Sequence, residues 1–532
     1  MQVSASVQAS PARVTLSWPQ DTNGTPSSYT VYRKTPGATS WGAGTTLAGA
    51  TTSYADSSVL AGTAYEYRIV KAASGYTGYG YIQTGVAAPL VDQRGKVILL
   101  VDNTMAGPLA NELKTLEQDL AGDGWIVLRR DVARTDSPVS VRALIKSLYD
   151  GDRTNVKSVF LFGHIPVPYS GQLNPDGHND HIGAWPADAY YGDMDGTWTD
   201  STVNYVQSAH RYAFDNARST NVPGDGKFDQ SQLPSAVELE VGRVDLANQP
   251  GDDYWGIDAV ILTETELLRN YLRKDHRFRH REVNPPRRAL IGDYLGTLGG
   301  GAPAASAFRS FAPLLGANNI RNLSLEVNGR EGVWINETSA NDYLMVGAYA
   351  YSSYVALMGL GSAGPGLGAP MHEFISRDVH GVFTLMFGSW HGDWDHPDTV
   401  LKAPLMTTHG LVSVWSGRPH WFFHPMGLGE TVGYVARLTQ NNTGLYQTQH
   451  NSAQNQVHVA LMGDPTLRLH PVLPARNLSG SLSGSTVTLD WSASNDSALV
   501  GYHVYRGTSA AGAFTRLTST PITAITFSDP AG

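Results

Sequence analysis

The stretch Lys96-Val-Ile-Leu-Leu-Val-Asp102 decides the fold of the central part of the chain. It is a continuous apolar run that ends at an acidic residue, and such runs are typical of parallel strands that are buried on both faces. Leucines recur on one face of a predicted helix at 108–120, and strand 125–129, helix 139–149 and strand 157–163 follow. This β-α-β-α-β order predicts an α/β domain with a mostly parallel sheet and helices on both faces.

The same alternation continues further along the chain. Strands are predicted at 288–292, 354–359, 381–388 and 411–416, and helices at 256–274, 302–315 and 427–440. Sheets of this type bind ligands beyond the carboxyl ends of their strands. The residues predicted at those ends, and so at a candidate site, are Asp102, His164, Leu360 and Ser389.

An internal repeat flanks the α/β region. Val14-Thr-Leu-Ser-Trp18 recurs 473 positions later as Val487-Thr-Leu-Asp-Trp491 (18 to 491), and Tyr29-Thr-Val-Tyr-Arg33 recurs at the same offset as Tyr502-His-Val-Tyr-Arg506 (29 to 502). Both copies consist of short alternating strands that are separated by turn residues. The repeat therefore predicts a β-sandwich at each end of the chain.

Each copy resembles a fibronectin type III module, with a tryptophan on an early strand, a Val-Tyr-Arg strand and, in the first copy, Tyr65-Glu-Tyr67 on a later one. Another type of seven-stranded sandwich is the alternative, because sandwiches share these features. We predict a sandwich at 1–90, an α/β domain at 91–473 and a second sandwich at 474–532. The first copy continues to about residue 88, whereas the second ends at the equivalent of residue 59 (532 − 473), so the second copy is roughly 30 residues short and we expect a longer natural chain.

Composition excludes several classes of protein. Of the 532 residues, 41% are hydrophobic and only 16% are charged, which supports several cores and rules out a disordered chain. A net charge of −9 argues against nonspecific binding to nucleic acid. No apolar run approaches the ~20 residues that span a bilayer, so we expect no membrane span.

The chain contains no cysteine, which rules out disulfides, thiolate metal sites and a cysteine nucleophile. Its first residues, Met1-Gln-Val-Ser4, lack the basic and apolar regions of a signal peptide. The richness in glycine and aromatic residues is typical of extracellular proteins. We therefore expect an exported or cell-surface bacterial protein whose signal has been removed; the alternative is a cytosolic protein.

Six segments between residues 92 and 470 resemble the gingipain-type cysteine peptidases, in the same order along the chain. This resemblance implies a caspase-like fold for the central domain. The segments are Phe-Leu-Phe-Gly-His-Ile-Pro at 160–166, Pro-Ala-Asp-Ala-Tyr-Tyr-Gly-Asp at 186–193, Val-Gly-Arg-Val at 241–244, the stretches 354–364 and 384–393, and Leu-Met-Gly-Asp-Pro-Thr-Leu at 461–467.

The resemblance implies that the catalytic dyad of this family is missing. The family pairs the histidine of a Gly-His-Gly turn with a cysteine four residues before an aspartate; these positions fall on Leu360 and Ser389. Leucine cannot accept a proton, and serine without a base is a weak nucleophile. We therefore expect a degenerate peptidase-like domain that binds or scaffolds a surface protein or glycan.

Two catalytic alternatives stay open. In the first, Ser389 is the nucleophile of a reworked hydrolase, with His391 or His164 as its base and Asp393 or Asp188 as the third member. In the second, the domain acts on glycans or binds them. The substrate-binding candidates for such a surface are Trp185, Asp188, Trp390, Asp393 and Trp421. Packing in the core or at the rim is the other interpretation of these tryptophans.

Metal binding is a further possibility. Asp215, Asp225 and Asp229 are candidate calcium ligands, because Gly-Asp-Gly-x-x-Asp places hard oxygen ligands on a tight turn. Ordinary Asp-Gly turns explain the same pattern. The loops 178–181 and 391–396 contain suitable ligand types for a transition metal, but neither has a recognised metal-binding spacing.

Overall fold

The computed structural model describes residues 1–206, 217–249, 262–298, 303–323, 332–361, 369–416, 421–448, 454–508 and 514–530. The chain is multidomain, with one large mixed sheet and several antiparallel sheets. The strands are β1 Ser4–Gln8, β2 Arg13–Ser17, β3 Ser28–Lys34, β4 Thr45–Ala48, β5 Ser53–Asp56, β6 Thr63–Ala73, β7 Tyr76–Val86, β8 Gly95–Asp102, β9 Trp125–Val132, β10 Val156–Phe162, β11 Tyr169–Leu173, β12 Gly183–Pro186, β13 Glu240–Val244, β14 Ala289–Asp293, β15 Ile320–Asn322, β16 Tyr343–Tyr349, β17 Ser352–Ser353, β18 Ala356–Leu357, β19 Ala369–Pro370, β20 Gly381–Phe387, β21 Val412–Trp415, β22 Ala460–Gly463, β23 Arg476–Ser483, β24 Thr486–Ser492, β25 Tyr505–Gly507, β26 Phe514–Arg516 and β27 Thr526–Pro530. The α-helices are α1 Asn103–Ala106, α2 Ala110–Gly122, α3 Pro138–Gly151, α4 Ala189–Gly192, α5 Glu264–Arg279, α6 Ala305–Leu315, α7 Val333–Ala340, α8 Met371–Ser376 and α9 Val432–Gln440.

Four helices, α1, α3, α5 and α9, begin after a residue whose side chain accepts from a free amide of the first turn. In α5, Thr263 and Glu266 form a reciprocal capping box, and in α3 the hydroxyl of Ser137 accepts from the amide of Ser140. The helix predicted at 256–274 therefore begins at 264 in the described residues, and 251–261 lie outside them. None of the helices within the described residues is long and apolar enough to cross a lipid bilayer.

The N-terminal region contains the three-stranded sheet β1-β2-β5 and the four-stranded sheet β4-β3-β6-β7, which share one hydrophobic core. The repeat predicted from the sequence is also a repeat of strand register. Val14 is paired with Asp56 on β2 and β5, and Val487 is paired with Asp529 on β24 and β27, both at the offset of 473. The two copies therefore build the same strand pair.

The central sheet has ten strands in the order β15-β14-β16-β20-β21-β22-β13-β10-β8-β9. Its strand pairs are parallel, with the exception of β21 and β22, which run antiparallel. Alternate residues of β8 enter different cores: Leu99 packs in the core that contains α2 and α5, whereas Leu100 packs in the core that contains α3. The sheet is therefore covered by helices on both faces, because side chains alternate along a strand.

One predicted strand is wrong. β20 pairs in parallel with β21 on one side and with β16, at Tyr343–Tyr349, on the other, and not with the segment 354–359. All seven residues of β16 are buried, as expected for a central parallel strand. The segment 354–359 instead contributes β18 to a small antiparallel sheet, β17-β18-β19. Consequently Ser352, and not Leu360, follows the strand that lies beside β20.

A buried charge network joins the N-terminal region to the central domain. Glu66 on β6 is fully buried; it accepts from Lys34 Nζ at 2.5 Å and from Nε2 of His424 at 2.8 Å. Burial alone would raise the pKa of Glu66, but the hydrogen bond from His424 and the charge of Lys34 outweigh it and lower the pKa to about 2. Tyr81, Phe422 and Tyr446 form an aromatic cluster that also joins the two regions.

Candidate functional site

The carboxyl edge of the central sheet carries the polar residues that end its strands. Asp102 is the last residue of β8, His164 follows β10, Asp245 follows β13, and Ser389 follows β20. β8, β10 and β13 run parallel to one another, so their carboxyl ends meet, and His164 contacts the carboxylates of both Asp102 and Asp245 there. The loop after β20 reaches the same place, because the amide of Asp398 donates to the carbonyl oxygen of Asn248. This is the edge at which α/β sheets bind ligands.

Ser389 makes a hydrogen bond to a histidine from a distant loop. The Oγ of Ser389 lies 2.7 Å from Nε2 of His178, 211 positions away in the chain. On the other side of the ring, Nδ1 of His178 lies 4.0 Å from Oδ1 of Asp180, beyond hydrogen-bonding distance. The side chain of His178 is 46% exposed, so the pair is open to solvent. A serine and an imidazole in this contact can exchange a proton.

The loop that carries His178 is tied to the loop that carries Ser389. Asp176 is buried and accepts hydrogen bonds from the backbone amides of His178 and Trp390, both at 3.0 Å. Its carboxylate also contacts Nδ1 of His181 at 3.2 Å. Burial would raise the pKa of Asp176, but this contact with His181 outweighs it and lowers the pKa. The ionised Asp176 therefore holds the serine and its histidine partner in place.

The turn at Ser389 depends on a glycine. A Cβ on Gly388 would collide with Oγ of Ser352, which donates to the carbonyl oxygen of Ser389 at 2.5 Å. The next residue, Trp390, has a φ of +73°, in the left-handed region that non-glycine residues seldom occupy. Its ring stacks on His181 with a centroid distance of 3.9 Å. Close packing thus holds Ser389 in a sharp turn after β20.

Asp393 lies in a buried network that reaches the Ser389–His178 contact only indirectly, through His181 and Asp176. Its Oδ2 is 2.7 Å from Arg218 Nη2 and 3.2 Å from Nε2 of His181. Burial would raise the pKa of Asp393, but the Arg218 guanidinium outweighs it and lowers the pKa. Asp188 is similarly engaged, because both of its oxygens bind the guanidinium of Arg243 at 2.8 Å. Neither carboxylate contacts His178.

The structure pairs Ser389 with neither of the two histidines predicted as its base. His391 is fully buried, and within the described part of the chain neither of its ring nitrogens has a hydrogen-bond partner. Burial lowers the pKa of His391 to about 3. His164 pairs through Nδ1 with Asp245 at 2.9 Å, and this hydrogen bond raises the pKa of His164.

The remaining predicted site residues are mostly interior. Leu360 is fully buried in the main core, where its carbonyl oxygen accepts from the amide of Ile335. Trp185 and Trp421 are also fully buried, contrary to the expectation of a glycan-binding surface, and Trp390 is 4% exposed. Large aromatic side chains are favourable to bury, so these tryptophans contribute to packing.

The acidic turn predicted to bind calcium is built from backbone hydrogen bonds. Asp229 accepts from the amides of Ser201, Thr202 and Val203. Asp225 accepts from two amides of its own turn, those of Val222 and Lys227. The carboxylates act here as turn-forming groups, which is the alternative the sequence left open. Asp215 lies outside the described residues.

Sequence reasoning missed His178 as a partner of Ser389. The signal was present, because His-Asn-Asp-His at 178–181 stood out as a cluster of ligand-type residues. In the structure the members of that cluster separate: His178 is exposed toward Ser389, whereas His181 is buried under Trp390. His178 could be identified as the partner of Ser389 only from the folded structure, in which the two loops lie side by side.

Comparison with known proteins gave matches among solved structures. No family model matches the chain, and no curated protein matches it. Among solved structures, the Arg-specific cysteine proteinase gingipain R covers 76% of this chain and 86% of its own, with 12% identity and a TM-score of 0.45. A fibronectin type III domain of human collagen alpha-1(XX) covers 18% of this chain and 85% of its own (14% identity, TM-score 0.15), and an Fn3-like protein from Clostridium thermocellum covers 17% and 92% (25% identity, TM-score 0.13). The structural neighbours therefore include a gingipain and fibronectin type III-like domains.

Proposed function

We propose that this protein is a serine-dependent hydrolase of acyl compounds, with Ser389 as nucleophile and His178 as general base. The observation that carries the proposal is the 2.7 Å contact between Oγ of Ser389 and Nε2 of His178, at the carboxyl edge of the sheet. A nucleophile beside a base within hydrogen-bonding reach is the minimum requirement for this chemistry.

The reaction follows from these two groups. Nε2 of His178 accepts the hydroxyl proton while Oγ of Ser389 attacks the carbonyl carbon of the substrate. The imidazolium then returns the proton to the leaving group, and an acyl-serine ester forms. Water hydrolyses this ester with His178 again acting as base. The carboxylate of Asp180 lies 4.0 Å from Nδ1 and would orient the ring if the loop tightened on substrate.

Ester or amide substrates fit this site better than glycosides do. Glycoside hydrolysis requires two carboxyl groups that are available to act as acid and base or nucleophile. Asp188 is held by Arg243, and Asp393 is held by Arg218 and His181. Because both carboxylates are already ion-paired, they are poorly placed to act as the acid and base of glycoside hydrolysis.

Noncatalytic binding is the second candidate, and one contact favours it. The amide of Trp390, directly after the nucleophile, donates to Asp176 at 3.0 Å. In many serine hydrolases the amide after the nucleophile stabilises the oxyanion, and such a donor is worth about 10²–10³ in turnover. With this amide occupied, the edge of the sheet would bind a surface protein or glycan without cleaving it.

We also propose a caspase-like architecture of the gingipain type for the central domain and a fibronectin type III architecture for the flanking regions. The ordered motifs between 160 and 467 support the first, and the matching registers of β2–β5 and β24–β27 support the second. Activity outside the cell, as an exported or surface-attached bacterial protein, fits the absence of cysteine and the flanking β-rich regions.

Labelling with a fluorophosphonate probe tests the proposal on the full chain. We expect labelling of the natural sequence that Ser389→Ala abolishes and His178→Ala reduces by at least 100-fold, within the usual range for loss of a general base. Ser147→Ala, an exposed serine on α3, is the matched control and should label normally. Labelling that depends on His164 and not on His178 would refute the assignment of the base. No labelling at Ser389 at all would refute catalysis and leave the binding proposal.

A further inference from the structure

A second polar cluster lies at the amino ends of three strands of the central sheet, at the end of β20 opposite to Ser389. Asp342 immediately precedes β16, His380 immediately precedes β20, and His409 lies three residues before β21. Oδ1 of Asp342 is 2.9 Å from Nδ1 of His380 and 3.7 Å from Nε2 of His409. The three residues thus join the amino ends of three adjacent parallel strands, far along the strands from Ser389.

The three atoms converge as metal ligands do. The ligand atoms lie within 4.8 Å of one another. In a tetrahedral zinc site with bonds of about 2.0–2.1 Å, neighbouring ligand atoms are about 3.3 Å apart. The two distances to Oδ1 of Asp342, 2.9 and 3.7 Å, fall on either side of that value. The rings of His380 and His409 pack against each other with a centroid distance of 4.0 Å, so an ion would bind as these two rings turn apart around Asp342.

The other nitrogens of both histidines are held by hydrogen-bond acceptors. Nε2 of His380 faces Oδ2 of Asp378 at 3.2 Å, and Nδ1 of His409 lies 2.8 Å from Oγ1 of Thr408. Thr408 Oγ1 in turn donates its proton to Asp378 at 2.6 Å, which leaves an oxygen lone pair for the His409 ring. Both rings are thereby oriented with the remaining nitrogen toward Asp342. Metal-binding histidines are characteristically fixed in this way.

We propose that Asp342, His380 and His409 bind a divalent transition-metal ion, for which zinc is the best match. Two imidazoles and one carboxylate suit zinc, and a water molecule would complete a four-coordinate site. The side chains of His380, His409 and Asp342 are 22%, 19% and 46% exposed, so an ion can enter from solvent. The ion would tie three strand ends together and stabilise the sheet.

A second group of the same residue types provides a matched comparison. Asp119 on α2 contacts His276 of α5 at 2.7 Å and His280, just after α5, at 2.8 Å. Here each histidine takes a separate carboxylate oxygen. Among the described residues, no acceptor holds the outer ring nitrogens as Asp378 and Thr408 do at the proposed site. We therefore assign zinc to the Asp342 group alone.

Zinc titration of the untagged full chain against a chromophoric zinc chelator tests this inference. We expect one tightly bound zinc per chain, retained in His276→Ala/His280→Ala and lost in His380→Ala/His409→Ala. Replacing the acceptor, as in Asp378→Asn, should weaken zinc binding by about 10–100-fold, as changes to such partners do. Binding that survives His380→Ala/His409→Ala would overturn the proposal.

A single substitution at Asp342 tests the site even if the double histidine variant fails to fold. Asp342→Asn keeps the shape of an exposed side chain and removes the ligand charge, so it should fold and still lose zinc. Zinc should raise the melting temperature of the natural sequence and leave that of Asp342→Asn unchanged. Equal shifts in both proteins would contradict a site at Asp342. Loss of zinc in His276→Ala/His280→Ala instead would move the site to the helix pair.

Discussion

Replacing Glu66 by glutamine is the sharpest test of how the N-terminal region is attached to the central domain. The change keeps the size of the side chain and removes its charge. Lys34 would then be a cation without a carboxylate, on a side chain that is 2% exposed. Its charge would then be met by the neutral carbonyl oxygen of the glutamine and by the rings of Trp41 and Tyr446, whose centroids lie 5.1 and 5.5 Å from Nζ.

Two independent arguments give the same magnitude. Lowering the pKa of Glu66 from 4.5 to about 2 corresponds to about 3 kcal/mol of stability, at about 1.36 kcal/mol per unit. Removing one partner of a buried ion pair costs about 3–5 kcal/mol. The cation–π contacts of Lys34 persist in the variant and offset part of the loss. We therefore expect a destabilisation near 3 kcal/mol, which is large for a single polar substitution.

Hydrogen exchange followed by mass spectrometry measures the loss of stability around Glu66. A local measurement is preferable because a multidomain chain need not unfold in two states. Exchange in β6 and in 421–426 should become about 100-fold faster, the equivalent of about 3 kcal/mol. The pKa of Glu66 is lowered in the folded protein. The stability that the ionised Glu66 contributes is therefore fully present above pH 4.5, the pKa in the unfolded chain, and is lost as the pH falls from there toward 2. The natural sequence should approach the exchange rate of the variant over that range.

Glu117→Gln is the matched control, because Glu117 pairs with Arg129 at 2.9 Å on the surface, where the side chains are 36% and 26% exposed. Such a pair contributes about 0–1 kcal/mol. Removing both buried charges together, in Lys34→Met/Glu66→Gln, should cost less than Glu66→Gln alone. If Glu66→Gln changed exchange no more than Glu117→Gln does, the buried network would not stabilise the junction and our reasoning would fail.

Three further predictions concern the central domain. Leu360→Ala should lower the free energy of unfolding by about 2–5 kcal/mol, because Leu360 is a fully buried core residue; a neutral effect in urea titration would contradict that placement. Gly388→Ala should reduce fluorophosphonate labelling of the serine that follows it while leaving the melting temperature within a few degrees, since the added methyl collides with Ser352; undiminished labelling would show that the turn tolerates a side chain. Asp229→Ala should cost about 1–3 kcal/mol by leaving backbone amides unpaired, and calcium should not change the melting temperature of the natural sequence; a rise with calcium would restore the calcium prediction for Asp225 and Asp229.

The central β-α-β-α-β unit was predictable because its strands are buried on both faces and read as continuous apolar runs. The error at 354–359 has the same origin. Both that segment and Tyr343–Tyr349 are rich in apolar residues, and the Gly-Leu-Gly turn at 359–361 favoured the wrong one. Total burial of β16 distinguishes them, but burial depends on neighbours that a single segment does not reveal.

The site was predictable in part. Ser389 follows from the strand that precedes it, since a strand end is a local feature. His178 does not, because its contact with Ser389 joins positions 211 apart and depends on how Asp176 links the two loops. Burial of His391, two residues from Ser389, shows that nearness in sequence is a poor guide to which histidine can serve a nucleophile.

The position of β22 within the central sheet sets an order of events during synthesis. Four strands from residues 95–244 form one side of the sheet, and five strands from residues 289–415 form the other. β22, at Ala460–Gly463, lies between them and pairs with both β13 and β21. The two sides therefore stay unjoined at this seam until the ribosome has released residue 463. Until then β13 and β21 present open edges that can pair with another chain. The nascent protein is thus most prone to aggregation just before its central domain is complete.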